Sequence, residues 1–434
     1  MKLSQHEWRF GLVISSLHAV QHLFYRLLPP LIPILVLGLE ASLWELGLLV
    51  SLYLFAGGIG QAPMGVLVDR FDRRYLAVPA VCLMSVGYLI FVLGSVIGGA
   101  LPTVSVLEYS FTGTYQLMAV GMVAAGFGYS AIHPVGYPLI SANIAADNKG
   151  TVLGMWGSAS KVGDTVAPLL VGVLILALPW EWILIGVSLF GFVYAGWLLV
   201  VFSQESVETR PPEAVSGVES TADWKAAPRQ FLLPIGTILL AFCFILFATN
   251  GLITFTPVFV TDVYGYSLSI AGLAVPAESV ANFYFAALLL SGAVSQLLVG
   301  SLADRVDHRL LLLSLLLVTT VGLVVLASVT LTPLVLLGTF VLVGGCLFGL
   351  NPVRDALISE ITPAVYEGRT FGYFWTVVLL VSSGYPLAIG SLADTIGIQA
   401  SFRYLAVGTL CGMVGVGLLY SAAVYRPTAG DNEG

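Results

Sequence analysis

Twelve runs of mostly apolar residues occupy nearly the whole chain and limit what it can fold into. An α-helix needs about 20 such residues to cross the hydrocarbon core of a bilayer. With 58% hydrophobic and 9% charged side chains in 434 residues, a water-soluble domain is excluded, because that much apolar surface cannot all be buried. The sequence therefore predicts an all-α membrane protein. The predicted spans are residues 9–37, 43–66, 74–98, 115–143, 150–177, 181–202, 231–258, 277–300, 309–329, 333–360, 368–392 and 402–425.

Lysine and arginine are distributed unevenly between the loops. If twelve spans alternate in direction, 13 of the 17 Lys and Arg residues fall in segments on the same side. Positively charged loops stay in the cytoplasm. We therefore expect a multi-pass plasma-membrane protein with both termini in the cytoplasm.

A polar linker at residues 203–230 divides the chain into two halves of six spans, residues 1–202 and 231–434. The halves repeat one another: HPVGYPLISANIAADNKGTVLGMW (133–156) and NPVRDALISEITPAVYEGRTFGYF (351–374) share eight identical positions of 24. Such internal symmetry is typical of transporters whose two halves rock against each other.

A charged motif is also repeated. GVLVDRFDRR (65–74) follows the second span, GSLADRVDHR (300–309) follows the eighth, and GSLAD appears again at 390–394. Glycines let helices approach closely, and an aspartate is stabilised at the N-terminus of a neighbouring helix. We expect a gate that holds the cytoplasmic side closed, formed by Gly65, Asp69, Arg70, Arg73, Gly300, Asp304, Arg305 and Arg309. An anchor that merely keeps positive charge inside would explain the arginines but not the spacing of the aspartates and glycines.

The doubled form G-x-L-x-D-R-x-x-x-R resembles the signature of the major facilitator superfamily. This resemblance implies two pseudo-symmetric six-helix bundles and secondary transport by alternating access. GDTVAPLLVG (163–172) partly resembles the signature of drug/proton antiporters in that family. GFGYSAIHPVG (126–136) and LLPPLIP (27–33) are similar to segments of fosmidomycin-resistance-type exporters. These likenesses imply proton-coupled efflux, including multidrug efflux.

His18, His22 and Arg26 recur every four residues in the first span. This spacing places all three on one helical face. Charged groups inside a membrane are costly and are often functional. We expect the face to line a cavity for an anionic or polar solute, with histidine titrating near neutral pH. Ordinary helix packing is the alternative.

Lys161 and Asp164 lie three residues apart in the fifth span, near the middle of the membrane. They form either an internal ion pair or a proton-coupling site. Arg354 and Asp355 in the tenth span are interpreted as a gating pair, with direct contact to the solute as the alternative. His133 and Asn250 accompany helix-breaking residues and are assigned to the solute or proton pathway. Ser42 and Glu45 predict a capping box that begins the second span.

The sequence favours a secondary transporter over two other classes. We find no metal-ligand set, nucleophile motif or phosphate-binding loop, so we expect neither an enzyme nor a cofactor. A membrane sensor with this fold would be expected to carry a longer tail or an added domain. The expected partners are a small-molecule solute, membrane lipid and a coupling proton, with no nucleic acid, and we expect a monomer. Proton- or ion-coupled uptake of a small anionic or polar solute is the alternative to efflux.

Overall fold

The computed structural model describes residues 3–211, 229–270, 273–363 and 366–425. Most of the predicted linker lies outside the described residues. The side chains of Arg229 and Arg369, and all of Lys225 and Arg426, which were used to predict the orientation, also lie outside them.

In the described residues, seven α-helices precede the linker. They are α1 (Gln5–Tyr25), α2 (Ile32–Leu39), α3 (Leu43–Val68), α4 (Arg74–Ile97), α5 (Gly113–Asn143), α6 (Lys149–Leu174) and α7 (Trp180–Phe202). A short antiparallel hairpin, β1 (Val104–Val106) and β2 (Tyr109–Phe111), connects α4 to α5. Here α1 packs against α5 and α6, and α4 packs against α5 and α7.

Among residues 229–270, 273–363 and 366–425, seven more α-helices follow the linker. They are α8 (Arg229–Val263), α9 (Ala277–Ala303), α10 (His308–Ser328), α11 (Pro333–Ile361), α12 (Glu367–Ser382), α13 (Tyr385–Ile396) and α14 (Ile398–Leu418). A second hairpin, β3 (Leu268–Ile270) and β4 (Leu273–Val275), connects α8 to α9. Here α10 packs against α11 and α14.

The prediction of an all-α membrane protein is confirmed. Eleven helical stretches of the described residues are long and apolar enough to cross a membrane. The remaining long helix in these ranges is α6, which has 26 residues but contains Lys161 and Asp164. With α6, the stretches match the twelve predicted spans, with boundaries shifted by a few residues.

Two predicted spans are interrupted. The first consists of α1, a 3-10 turn at Pro29–Leu31 and α2, because proline cannot donate the backbone hydrogen bond that a continuous α-helix needs. The eleventh consists of α12 and α13, separated at residues 383–384. The capping box predicted at the second span is confirmed, since Ser42 accepts from the Glu45 N–H and Glu45 accepts from the Ser42 N–H.

The chain forms two compact units. The first comprises Met1–Ala214, Thr254–Ala286 and Ser383–Asp394, and the second comprises Val215–Ile253, Ala287–Ser382 and Thr395–Gly434. The first unit thus includes parts of α8, α9 and α13 in addition to the first seven helices. The division into bundles at residues 1–202 and 231–434 stays a prediction.

Candidate functional site

A buried charged cluster lies between α1 and α6 in the first unit, with the Asp164 carboxylate at its centre. One carboxylate oxygen, Oδ1, accepts from Arg26 Nε at 2.8 Å and lies 2.9 Å from His22 Nδ1. The other, Oδ2, accepts from Lys161 Nζ at 3.3 Å. Asp164 is 1% exposed and Arg26 is 6% exposed. The face predicted on the first span and the pair predicted on the fifth are therefore one site.

Local sequence explains how this carboxylate reaches α1. Gly163 precedes Asp164, and a Cβ at Gly163 would collide with the carbonyl oxygen of Ala19 on α1. The missing side chain lets the two backbones approach closely. Arg26 is the C-cap residue of α1, where the helix ends before the prolines.

The two remaining histidines of the pathway lie beside this cluster. His18 Nδ1 lies 2.7 Å from the carbonyl oxygen of Trp156, and its ring stacks on the indole with 4.1 Å between centroids. His18 Nε2 lies 3.2 Å from His133 Nε2 on α5. Gln21 donates to the Tyr129 carbonyl oxygen at 2.9 Å and lies 3.3 Å from His133 Nδ1. His133 thus lies beside the charged cluster, and its role in the solute or proton pathway stays a prediction.

Three tyrosines form an aromatic wall next to the charges. The Arg26 guanidinium lies over the Tyr25 ring, 4.1 Å from its centroid. Tyr25 stacks on Tyr53 at 5.7 Å and contacts Tyr129 at 5.3 Å. Sequence reasoning missed this wall, along with Trp156 and Gln21 as functional contacts. Gln21 and Tyr25 lie next to the predicted face in the sequence. Tyr53 and Trp156 lie on other helices, and no motif or spacing near them indicates a contact with that face.

Arg354 occupies a different environment in the second unit. It donates to Asp355 Oδ1 at 2.9 Å and to Asn351 Oδ1 at 3.1 Å. Its guanidinium also lies over the rings of Trp375, Phe242 and Phe374, at 4.6, 5.0 and 5.7 Å from their centroids. Arg354 is 2% exposed, whereas the Asp355 side chain is 44% exposed. The predicted pair forms, and its gating role stays a prediction.

Asn250 lies elsewhere in the same unit. It is buried and donates to the Ser382 carbonyl oxygen at 3.3 Å, where α12 ends. Its predicted place in the solute or proton pathway therefore stays a prediction.

The first copy of the repeated motif shows only part of the predicted gate chemistry. Asp69 and Arg70 are exposed, and neither forms an ion pair within the described ranges. The backbone N–H of Arg73 donates to the Thr209 carbonyl oxygen at 3.0 Å, which holds the segment after α7. The close approach predicted at Gly65 is absent from the structure, since a Cβ there would have no neighbour within 4 Å.

The second copy behaves in the same way. Asp304 and Arg305 are exposed and likewise form no ion pair in the described part of the chain. Arg309 donates to Asp307 at 2.7 Å, and its guanidinium lies over Tyr420, 4.5 Å from the ring centroid. A Cβ at Gly300 would meet only Pro352 at 3.8 Å, an ordinary contact.

Each copy contains an ion pair that the sequence did not suggest. Arg74 pairs with Asp72 at 2.9 Å in the first copy, and Arg309 pairs with Asp307 at 2.7 Å in the second. The positions correspond in the repeat. The Arg309 hydrogen bond lowers the pKa of Asp307 to about 2. The last arginine of each copy therefore neutralises a neighbouring aspartate.

The third copy of the motif, GSLAD at residues 390–394, makes a contact that the copies at 65–74 and 300–309 do not make. Asp394 accepts from the backbone N–H groups of Leu43 and Trp44, at 2.9 and 2.8 Å. These are the first two residues of α3, where the helix dipole favours an anion. The chemistry expected of Asp69 and Asp304 is thus observed at Asp394.

Comparison with known proteins identifies the family. The family model described as Major Facilitator Superfamily matches residues 14–284 and 276–433. The chain belongs to the Major Facilitator Superfamily. The resemblance inferred from the doubled motif is confirmed.

Relatives named as transporters match most or part of the chain. A protein of Escherichia coli (strain K12) named "Probable L-galactonate transporter" is 25% identical over 400 residues, covering 87% of this chain and 80% of that protein. The "Bacillibactin exporter" of Bacillus subtilis (strain 168) is 24% identical over 173 residues, 39% of each chain. The chain is therefore a transporter of the superfamily that moves a small solute.

Solved structures agree on the fold. A bacterial homolog of the human lysosomal transporter Spinster, inward-facing and occupied, matches with a TM-score of 0.74 at 15% identity, covering 96% of this chain and 97% of that one. The E. coli xylose transporter XylE, partially occluded and inward open, matches with a TM-score of 0.72 at 12% identity, covering 98% and 99%. The predicted twelve-helix architecture of the superfamily is confirmed.

Proposed function

We propose that this protein is a proton-coupled secondary transporter of a small organic anion, and that Asp164 is where proton and anion binding are linked. The observation that carries the proposal is the sharing of one buried carboxylate by Arg26, His22 and Lys161. Of the acidic and basic residues that lie well inside the first six helical spans, the sequence has two cations, Arg26 and Lys161, and one carboxylate, Asp164. Their combined charge favours an added anion.

Protonation of Asp164 would change the partners of both cations. A membrane-buried arginine is stable only with an anion beside it, and removing one member of a buried pair is strongly destabilising. When Asp164 takes up a proton, the carboxylate of a solute replaces it against Arg26 and Lys161. When the solute leaves, Asp164 loses the proton and pairs with the cations again. Proton and anion then move in the same direction, which is symport.

The surroundings of the cluster suit a hydroxylated carboxylate. Tyr25 and Tyr129 offer phenol groups, and Gln21 offers an amide oxygen with no hydrogen-bond partner among the described residues. The relative named for L-galactonate, a sugar carboxylate, matches most of the chain. We therefore assign the solute to the sugar-acid class, with uptake driven by an inward proton gradient.

Proton-coupled efflux is the second candidate. It is supported by the likeness of residues 163–172 to drug/proton antiporters and by the partial match to the bacillibactin exporter. In an antiporter, the proton and the solute exclude one another at Asp164. The sign of coupling therefore separates the two candidates.

Transport by purified protein in liposomes tests the proposal. We expect a gradient that is acidic outside to drive accumulation of L-galactonate, and D-galactose, a neutral sugar of similar size, not to accumulate. Proton entry reported by trapped pyranine should accompany L-galactonate. Solute release driven by the same gradient would instead support efflux, and transport of D-galactose alone would contradict the anion assignment.

Two variants test the role of Asp164. Asp164→Asn should abolish gradient-driven accumulation and leave exchange at equal pH largely intact, since exchange needs no net proton movement. If Lys161 and Asp164 are only a structural pair, Asp164→Asn should lower the folding stability by the ~3–5 kcal/mol expected for an unpaired buried charge. Both transport activities and the protein yield should then fall together. In that case, leucine at both positions would still leave Arg26 unpaired, so the yield should return only when Arg26 is replaced by leucine as well.

Arg26 tests solute recognition. We expect Arg26→Ala to raise KM steeply, and Arg26→Lys to give an intermediate KM because the charge remains while the planar guanidinium is lost. A wild-type KM in Arg26→Ala would show that Arg26 does not bind the solute and serves helix packing only. Tyr53→Phe, which keeps the ring stacked on Tyr25, is the matched control for packing.

A further inference from the structure

Three histidines form a line that ends at Asp164. His22 Nδ1 lies 2.9 Å from Asp164 Oδ1, and His18 Nε2 lies 3.2 Å from His133 Nε2. One ring nitrogen from each of the three histidines lies within 4.8 Å of those of the other two. The line draws on α1 and α5 and reaches α6 at the carboxylate.

The hydrogen-bond partners fix which nitrogen of each ring carries a proton. His18 Nδ1 must donate to the Trp156 carbonyl oxygen, which leaves a lone pair on Nε2. His133 Nδ1 accepts from the Gln21 amide, so its Nε2–H points at His18. His22 Nδ1 donates to Asp164, which leaves its Nε2 lone pair open.

We propose that His133, His18 and His22 form a relay that carries the coupling proton to and from Asp164. The relay rests on the proton coupling proposed above and adds the route. A proton that displaces the Gln21 amide from His133 Nδ1 makes that ring an imidazolium, which passes its Nε2 proton to His18 Nε2. His18 passes this proton to His22 Nε2, and His22 gives its Nδ1 proton to Asp164. One proton enters, one carboxylate is protonated, and all three rings are neutral again, with His133 and His22 in the other tautomer until a proton moves back.

The step between His18 and His22 is the longest. Their rings meet edge to face with 4.7 Å between centroids. One ring nitrogen of His18 lies within 4.8 Å of a ring nitrogen of His22, a gap that one water molecule bridges, and such bridges are nearly as favourable as direct hydrogen bonds. The transfer therefore needs a single water or a small rotation of one ring.

Burial and depth give the relay a direction. Asp164 and His18 are buried, His133 is partly exposed, and its neighbour Tyr137 is 51% exposed. Asp164 lies 15 residues from the start of α6, or about 22 Å, whereas His133 lies 10 residues from the end of α5, or about 15 Å. Both of these helix ends are predicted to be cytoplasmic. The relay thus leads from the charged cluster toward the cytoplasm, and during uptake its steps run in reverse and release the proton of Asp164 to that side.

Other titratable and charged groups surround the line. Those on α1 are Tyr25 and Arg26, those on α5 are Tyr129 and Tyr137, and those on α6 are Lys161 and Asp164, with Tyr53 on α3. The positive charges of Arg26 and Lys161 disfavour a proton at His22, whereas the Asp164 carboxylate, 2.9 Å from His22 Nδ1, attracts that proton. A proton arriving there is passed on rather than held.

The stack of His18 on Trp156 supplies a readout that needs no solute. An imidazolium quenches the fluorescence of an indole stacked on it. We expect a rapid pH drop in a stopped-flow instrument to quench part of the fluorescence of the eight tryptophans transiently, while His18 carries the proton. Trp156→Phe and His18→Gln should both remove this component.

His133→Gln tests the order of the relay. It keeps a hydrogen-bonding side chain but cannot accept a proton, so the quenching should be at least about tenfold slower. His6→Gln and His308→Gln change the two histidines outside the line and should leave the rate unchanged. An unchanged rate in His133→Gln, or the absence of a Trp156 component, would overturn the relay.

Transport separates the relay from a structural role. With L-galactonate in liposomes, His133→Gln should lower gradient-driven uptake at least about tenfold and change equal-pH exchange by no more than about twofold. A parallel loss of both activities and of melting temperature would assign His133 to packing and overturn the relay. If Asp164→Asn uncouples transport while His18→Gln and His133→Gln stay fully coupled, the relay fails and the proposed function stands. If Asp164→Asn stays coupled, the proposed function fails first.

Discussion

The pentapeptide GSLAD occurs twice, at residues 300–304 and 390–394, with different surroundings. Asp304 is exposed at the end of α9, whereas Asp394 accepts two backbone N–H groups at the start of α3. A Cβ at Gly300 would meet only an ordinary contact, whereas one at Gly390 would collide with the carbonyl oxygen of Leu43. Identical residues thus form a docked helix contact in one place and a solvated helix end in the other.

The motif therefore permits a contact with a neighbouring helix, but its presence in the sequence does not show that the contact forms. A glycine and an aspartate one helical turn apart allow a neighbouring helix to approach and provide an anion for its N-terminus. A neighbour completes the contact at Gly390 and Asp394. Rocking transporters alternate such contacts between conformations, so we expect the motif copies at Asp69 and Asp304 to dock when the transporter changes state.

Glycine substitution should give the largest effect. Gly390→Ala places a methyl group against the Leu43 backbone, and overpacking of this kind costs about 1–3 kcal/mol. We expect lower melting temperature and faster labelling of a cysteine placed at Ala41, beside the contact. Gly300→Ala is the matched control and should behave as wild type in both measurements. Equal effects of the two substitutions would contradict the comparison.

Asp394→Asn should have the next largest effect. The variant keeps an acceptor oxygen but loses the charge at the helix N-terminus, which is worth about 0.3–1 kcal/mol. We expect labelling at the Ala41 cysteine to rise by up to about fivefold, with normal insertion of the protein. Asp304→Asn in the identical pentapeptide should leave that labelling unchanged. A rise in both variants would point to a general loosening of the protein.

Asp69→Asn should act on transport more than on stability. Asp69 is exposed, and surface substitutions away from special features usually change stability by less than about 0.5 kcal/mol. If the first motif copy docks in the alternate state, the transport rate should fall while the melting temperature stays the same. The double change with Asp304→Asn should shift cysteine accessibility toward cytoplasm-open conformations. Wild-type transport in Asp69→Asn would remove the gating role.

Asp307→Asn should have the smallest effect, and that effect should depend on pH. Arg309 lowers the pKa of Asp307 in the folded protein to about 2, below its ordinary value of 3.8. A lowered pKa stabilises the fold above the unfolded value, and this stability is lost as pH falls from about 4 to about 2. Because the pair is partly exposed, we expect at most about 1 kcal/mol. Melting temperatures at pH 7 should therefore differ slightly between variant and wild type, and the difference should shrink at pH 3; a constant difference would contradict this source of stability.

Local sequence determined the helices and much of the chemistry. The bilayer core offers no hydrogen-bond partners to backbone polar groups, so each long apolar run has to form a helix that pairs them internally. The prolines at positions 29, 30 and 33 mark the break in the first span. The i, i+3 pair of Lys161 with Asp164 and the capping box of Ser42 with Glu45 were predictable, because both partners belong to one helix.

Tertiary structure decided which separated residues meet. Arg26 and Asp164 are 138 residues apart, and the pairing depends on Gly163 letting α6 approach α1, which no periodicity indicates. Asp394 and Leu43 are 351 residues apart. The sequence alone did not indicate which of the three similar motif copies contacts a helix N-terminus. Helix formation depends on neighbours along the chain, whereas an ion pair between helices depends on packing, and the sequence pattern of one helix does not specify its partner.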